Sequence, residues 1–162
     1  MLIRAYRDSD IPAIARLYYW TVRTINARDY SPEQIAAWAP AIFEDSFWKN
    51  RFRRYRVFVA EDAGAVVGFA EFESTGHIDC FYVHHQRQGT GIGSALLRRI
   101  ETEAGELGLG RLFADVSVTA RPFFEKKGFT VARRQEKSYG GCRFQQYPME
   151  KYLARPCGRK HG

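Results

Sequence analysis

A chain of 162 residues is long enough for one domain with a full core, because a protein of this size removes roughly 70% of its unfolded surface from water. Hydrophobic residues at 45% and aromatics at 15% exclude a disordered chain, and no apolar run approaches the roughly 20 residues that a membrane span requires. A net charge of +7 suits acidic ligands in general, including phosphorylated small molecules, nucleic acid or an anionic surface.

In chain order, Leu2 to Arg7 reads as a first strand. Ser9 is a candidate N-cap for a helix from Asp10 to about Ile25, with Ile11, Ile14, Leu17 and Tyr18 on one face. Ser31-Pro32-Glu33-Gln34 combines a capping-box pattern with proline at the first helical position, so a second helix runs to about Ala39 before Pro40. A third short helix starts near Asp45 and carries Phe47, Trp48 and Phe52. Tyr55 to Ala60 and Val66 to Glu73 read as strands joined by an Asp62-Ala63-Gly64 turn. After the Ser74-Thr75-Gly76 turn comes the strand Ile78 to Val83. These strands form an antiparallel meander.

Next comes Gln88-Gly89-Thr90-Gly91-Ile92-Gly93, three glycines on alternate positions ahead of a helix that runs to about Leu107. Glycine lets backbone N–H groups turn toward one point, and the helix start adds unpaired N–H groups and a positive dipole end. The combination makes an anion cradle, most simply for a pyrophosphate. A P-loop would need Gly-Lys-Ser/Thr, and here Ser94 and Ala95 follow Gly93. A Rossmann loop would need a third glycine where Ser94 stands, and an acidic residue ending the next strand; Asp115 is followed by three more strand residues. A plain strand-to-helix turn is the remaining alternative.

Leu112 to Val118 is the next strand. It follows a crossover helix and therefore lies parallel to Ile78–Val83. Ala120 to Lys127 makes a short helix stopped by Gly128, and Phe129 to Lys137 with Arg143 to Tyr152 completes a hairpin across Tyr139-Gly140-Gly141-Cys142. Three widely spaced cysteines, Cys80, Cys142 and Cys157, argue against a disulfide framework or a metal knuckle. The N-terminus lacks the apolar core of a signal peptide, so a cytoplasmic protein with reduced thiols is expected. The arginines Arg51, Arg53, Arg54 and Arg56 read as a solvated basic face. No nucleic-acid motif accompanies them, so nucleic acid is not an expected partner.

The loop from Gln88 to Gly93 resembles the (Arg/Gln)-x-x-Gly-x-(Gly/Ala) segment of the GCN5-related N-acetyltransferases, the GNAT family. Gly76-His77-Ile78-Asp79 and Ala120-Arg121-Pro122-Phe123-Phe124-Glu125-Lys126-Lys127-Gly128-Phe129 resemble its central and C-terminal motifs. Tyr30-Ser31-Pro32-Glu33-Gln34-Ile35-Ala36-Ala37-Trp38 resembles a bacterial subgroup of the YafP type. The resemblance implies an α/β (α+β) fold with a central, mixed, mostly antiparallel sheet of about seven strands flanked by helices. A splayed parallel pair stands in its middle. It covers a single domain, residues 1–153, ahead of a polar tail, 154–162. It also implies acetyl-CoA as cofactor, with no metal. Phe81 and Val83 offer main-chain hydrogen bonds to the pantetheine arm and Gln88 through Gly93 hold the pyrophosphate. Tyr82, Ser94, Ser117 and Phe124 complete the expected cofactor-binding set.

Acetyl transfer to an amine needs deprotonation, stabilisation of charge on the carbonyl oxygen, and departure of a thiolate. A lysine-like amine is neutral only about once in 2,500 molecules at pH 7, a cost of roughly 4–5 kcal/mol that a nearby carboxylate or imidazole offsets in part. Asp79 ranks first as base because strict alternation puts it on the face of Phe81 and Val83. A surface or strand-pairing carboxylate is the alternative for it. Glu71 and Glu73 share a face with Phe69 and come next, and His77 is expected in an exposed turn. The resemblance assigns the oxyanion donor to the Phe81 N–H. Many family members carry a tyrosine general acid where this chain has Phe124. Because a thiol's pKa is near 8.5, protonating the thiolate at pH 7 is worth only about 2 kcal/mol, so water, Tyr82, Tyr139, Tyr147 or Ser117 could replace it.

The reading is therefore an N-acetyltransferase acting on the primary amine of a small molecule. A protein or peptide N-acetyltransferase and a non-catalytic CoA-binding module are the alternatives. Trp20, Trp38 and Trp48 are candidates for the acceptor wall or for the core. A homodimer is compatible with the sequence.

Overall fold

The structure, a computed structural model, describes residues 1–133 and 135–154. Eight strands, β1 (Leu2–Ala5), β2 (Arg56–Asp62), β3 (Ala65–Phe72), β4 (Ile78–Val83), β5 (Arg111–Ser117), β6 (Thr130–Val131), β7 (Gln135–Tyr139) and β8 (Cys142–Tyr152), form two four-stranded sheets. The first is antiparallel in the order β1-β2-β3-β4. In the second, β8 pairs with β5, β6 and β7. The helices are α1 (Ile11–Thr24), α2 (Pro32–Trp38), α3 (Asp45–Phe52), α4 (Ile92–Glu106) and α5 (Arg121–Lys126). No helix among the described residues is long and apolar enough to cross a membrane.

The first sheet is covered on both faces, which is why β2 and β3 read as nearly continuous apolar runs. Ile92, Leu96, Leu97 and Ile100 of α4 pack on one face, with Phe58, Ala70, Phe72 and Ile78. Ile11, Ile14 and Leu17 of α1 and Trp48 and Phe52 of α3 pack on the other, with Val57, Val59 and Phe69. The β2–β3 hairpin turns at Ala63 and Gly64, at φ +49° and +79°, the pair of left-handed residues that a tight two-residue hairpin needs.

Four expectations about the elements are corrected. Ser9 does not cap the first helix: α1 starts at Ile11, and the Asp10 carboxylate before it accepts the Arg7 N–H at 2.7 Å and is held by Arg4 at 2.8 and 2.9 Å. The last hairpin is not two long strands, because its first arm divides into β6 and β7, both paired to β8. His77 is not a free turn residue. It forms the one parallel bridge to Phe113 and stacks on that ring with centroids 5.2 Å apart. Arg51 is not part of a solvated basic face, as described below. Cys80 and Cys142 are free thiols, and Cys157 lies outside the described residues.

The two sheets join along β4 and β5, and the join is short. Gly76 accepts the Phe113 N–H at 3.0 Å beside the His77–Phe113 bridge. Glycine is required there: φ is +99° and a Cβ would run into the Arg111 carbonyl. Beyond this point β4 and β5 have no ladder among the described residues. The parallel pair is therefore closed at its amino end and open at its carboxyl end, as a splayed pair should be.

Candidate active site

The opening between β4 and β5 leads into a cavity of about 650 Å³. On β4, the His84 N–H bonds to Val67 of β3 at 2.8 Å, and the Cys80 N–H points to the Glu71 carboxylate of β3 at 3.3 Å. Peptide groups alternate along a strand, so those of Phe81 and Val83 face the opening. The Val83 carbonyl accepts from Thr21 Oγ1 at 3.2 Å and Gln88 Nε2 at 2.7 Å.

Gln88 thus ties the glycine loop back onto the strand that feeds it, and Thr90 Oγ1 donates to Arg87 at 2.6 Å inside the loop. Gly89 and Gly91 take φ of +70° and +87°, with nothing within 4 Å of where a Cβ would sit, so the space above the loop is open. Gly91 caps α4, and its carbonyl accepts the Ala95 N–H at 3.1 Å. The N–H groups of Ile92, Gly93 and Ser94 precede that first helical bond and are left for a ligand. This geometry fits an anion such as a pyrophosphate. At the end of β5, Ser117 Oγ accepts the Ala120 N–H at 3.1 Å and closes the turn that leads into α5, while the Thr119 hydroxyl lining the cavity is buried with no partner among the described residues. Phe124, 3% exposed, packs edge-on to Phe81 at 5.5 Å and to Phe129 at 5.0 Å.

The far side of the cavity is built from side chains. Strict alternation on β4 fails at Asp79 and Cys80, since Ala70 pairs with Phe81 and Phe72 with Ile78, one residue between on β3 against two on β4. This is a β-bulge, and it re-aims side chains next to the opening. Ile78 and Phe81 stay on the α4 face, while Cys80 joins the opposite cluster and Asp79 meets residues of α3 and its exit. The placement of Asp79 on the face of Phe81 and Val83 is therefore overturned. Asp79 shares the Glu71 side and lines the cavity.

Glu71 is fully buried, and Arg51 holds both its oxygens, Nε to Oε1 at 2.6 Å and Nη2 to Oε2 at 2.7 Å. The same Nη2 lies 3.0 Å from Asp79 Oδ1, and the Tyr55 hydroxyl donates to Asp79 Oδ2 at 2.7 Å. Burial pushes the Glu71 carboxyl above its ordinary range, with the Arg51 hydrogen bonds and charge pulling the other way. Burial, then the hydrogen bond to Asp79, raises the Tyr55 hydroxyl, which makes it a donor and not a phenolate. Burial, then the Glu71 charge, pushes the Cys80 thiol well up, so it is not a thiolate nucleophile. Glu71, Asp79 and Cys80 bring ligand-type atoms within 4.8 Å of one another, but the Arg51 guanidinium occupies the carboxylate oxygens that a cation would need.

Tyr18, Trp38, Phe47, Tyr82 and Tyr139 add aromatic wall. Trp48 also lines the cavity at 1% exposure, whereas Trp20 is half exposed, packs edge-on against Tyr19 and is not among the lining residues. Of the hydroxyls considered as substitutes for the tyrosine missing at Phe124, Tyr139 lines the cavity and its oxygen accepts from Gln146 Nε2 at 2.9 Å. Tyr82 is wedged against Tyr18 and Phe69, and burial raises its hydroxyl strongly. Tyr147 is not among the lining residues and lies under the Arg121 guanidinium. Glu73 and His77 sit together at the closed end, 3.5 Å apart.

Three residues of this arrangement were not singled out from the sequence. In the sequence Arg51 reads as one of four neighbouring arginines, Tyr55 as the start of a strand, and Tyr30 as the first residue of the Tyr30–Trp38 motif. The Tyr30 hydroxyl accepts the Val118 N–H at 2.9 Å and donates to the Gln145 carbonyl at 3.1 Å, which pins the open end of β5 to β8. An aromatic immediately before a capping box was the available signal for Tyr30.

Residues 26–153 match the family model described as Acetyltransferase (GNAT) domain. The chain is 31% identical to the uncharacterized N-acetyltransferase YafP of Escherichia coli (strain K12), over 91% of this chain and 93% of that protein. It is 29% identical to the L-methionine sulfoximine/L-methionine sulfone acetyltransferase of Salmonella typhimurium, over 81% of each. Among solved structures, a GCN5-related N-acetyltransferase from Rhodopseudomonas palustris superposes with a TM-score of 0.89 at 32% identity, covering 94% of this chain and 95% of the other.

Proposed function

The chain belongs to the GNAT acetyltransferase family, and from that premise we propose that it moves an acetyl group from acetyl-CoA to the primary amine of a small molecule. The observation that carries the reading is the single cavity wall shared by the glycine loop, the open edge of β4 and Asp79. When bound, acetyl-CoA supplies an acyl thioester. The loop amides from Gly89 to Ser94 hold its diphosphate, with the α4 dipole adding to the attraction. The open-edge peptides of Phe81 and Val83 and the unpartnered Thr119 hydroxyl orient the arm, and Gln88 keeps loop and strand in register.

Asp79 holds the acceptor amine and takes its proton, directly or through water, while the Phe81 N–H donates to the carbonyl oxygen on which charge builds. Tyr139 and Ser117 are the two of the considered hydroxyls that line the cavity without being wedged in the core, and either serves the departing thiolate. Since that protonation is worth about 2 kcal/mol at neutral pH, the phenylalanine at 124 does not disable the reaction.

A small acceptor is favoured over a peptide because the far side is enclosed. The hairpin tip at Gly140 lies against Ala37 of α2, and Gln34 Nε2 donates to the Arg143 carbonyl at 2.6 Å, joining α2 to β8. A relative of similar length is named for methionine-derived substrates, which supports the same class. Thiol release from acetyl-CoA tests the proposal, measured with free amino acids and simple amines beside peptides of equal amine concentration. Faster release with the free small amines is expected; release with peptides alone would overturn the small-molecule reading.

A further inference from the structure

Two carboxylates, Glu71 and Asp79, share one guanidinium, so the cluster carries one surplus negative charge. The surplus is not spread evenly. Both Glu71 oxygens are taken by Arg51 at 2.6 and 2.7 Å in a site with no exposure, whereas Asp79 receives from Arg51 one longer contact at 3.0 Å and has a side chain 39% exposed. Glu71 does not line the cavity; Asp79 and Arg51 do. We propose that Arg51 and Glu71 form a charge-setting pair: Glu71 absorbs the guanidinium charge inside the protein, Asp79 presents the net negative charge to the cavity, and the acceptor enters as its ammonium form.

The proposal deepens the amine-acetylation reading and rests on it. The aromatic wall of Tyr18, Trp38 and Phe47 suits the same cation through its ring faces. The other cations on the lining stand elsewhere: Arg87 is paired with Asp62, and Lys137 lies against the Tyr139 ring on the β7 side. Glu71 and Arg51 are then positioning residues that act through Asp79. Deprotonation of the amine follows its binding.

Calorimetry with phenethylammonium chloride and its uncharged counterpart 2-phenylethanol tests this, each titrated with and without CoA. The wild-type chain should bind the ammonium about tenfold more tightly than the alcohol. In E71Q, Arg51 turns its whole charge on Asp79, and that preference should fall to about unity while the alcohol binds as before. In R51M/E71Q both partners are gone, Tyr55 still holds Asp79, and the preference should return. A role of the pair in packing alone would not be rescued by removing the second partner. Should E71Q fail to fold, E71M carries the same test, with the same loss of preference expected. No preference in the wild type, or none in a CoA-binding double variant, overturns the proposal, as does an E71Q protein that keeps the preference. Failure of the wild type to bind CoA would instead overturn the acetyl-transfer reading, and the titrations without CoA still score the preference.

Discussion

The two halves of the cavity are made of different material. The half facing α4 is backbone: glycine peptides at positive φ, the first N–H groups of a helix, and the open edge of β4. The half facing α3 is side chain: Arg51 and Asp79 line it, and Glu71 and Tyr55 hold them from behind, through contacts of 2.6 to 3.0 Å. A backbone site tolerates changes of side chain but not of conformation. A side-chain site tolerates neither loss of charge nor loss of a partner. The two halves should therefore fail differently under substitution.

The largest expected effect lies in the side-chain half. Arg51→Met leaves the Glu71 carboxylate buried without its counter-charge, with only the Cys80 N–H still directed at it, and breaking a buried pair in this way costs about 3–5 kcal/mol. Urea unfolding should show that loss, and a change under about 1 kcal/mol would mean that Glu71 is neutral in the native state. The backbone half should respond to Gly91→Val with a smaller loss in unfolding, about 1–2 kcal/mol, but about a hundredfold weaker acetyl-CoA binding by calorimetry. A β-branched residue at φ +87° is strained and must shift the loop. Unchanged binding would move the diphosphate away from this loop.

The difference in material also explains what was legible in the sequence. Glycine spacing, a strand before it and an amphipathic helix after it are local signals, and β4, the loop and α4 were readable from them. The Ser31–Gln34 capping box was readable in the same way, and in the structure the Gln34 N–H donates to Ser31 Oγ at 3.2 Å while Gln34 Oε1 accepts the Ser31 N–H at 2.8 Å. The acceptor half was not legible because it depends on pairing across the sheet. The bulge at Asp79 and Cys80 exists only relative to Glu71 on β3, so period-two counting along β4 put Asp79 on the wrong face. Arg51 looked like one of four surface arginines until β3 placed a buried carboxylate beneath it.

Smaller changes sharpen the contrast. Tyr55→Phe removes one of the two groups holding Asp79. It should raise the acceptor KM about fivefold, with acetyl-CoA binding unchanged, since a hydrogen bond to a charged group is worth about 1.5 kcal/mol or less at a partly exposed site. Equal effects on both substrates would show that the halves are coupled.

The smallest effect concerns pH. The Arg4 hydrogen bonds hold the Asp10 carboxyl below its ordinary range against the opposing effect of burial, so its stabilisation is present above about pH 4 and is lost as pH falls through the lower folded value. Glu71 has the opposite sign: burial raises it, so its contribution is greatest below the ordinary glutamate range and declines as pH rises through the folded value. Urea titrations of Asp10→Asn against the wild type should show a shallower acid limb for the variant. An identical limb would remove Asp10 from the account.

The central claim is that one coenzyme spans the join between the two halves. A crystal structure grown with acetyl-CoA tests it most directly. The account predicts the diphosphate on the amides of Gly89 to Ser94, the arm along Phe81 and Val83, and the acetyl end facing Asp79. Coenzyme bound away from the β4–β5 opening, or an acetyl end turned from the bulge, would contradict it.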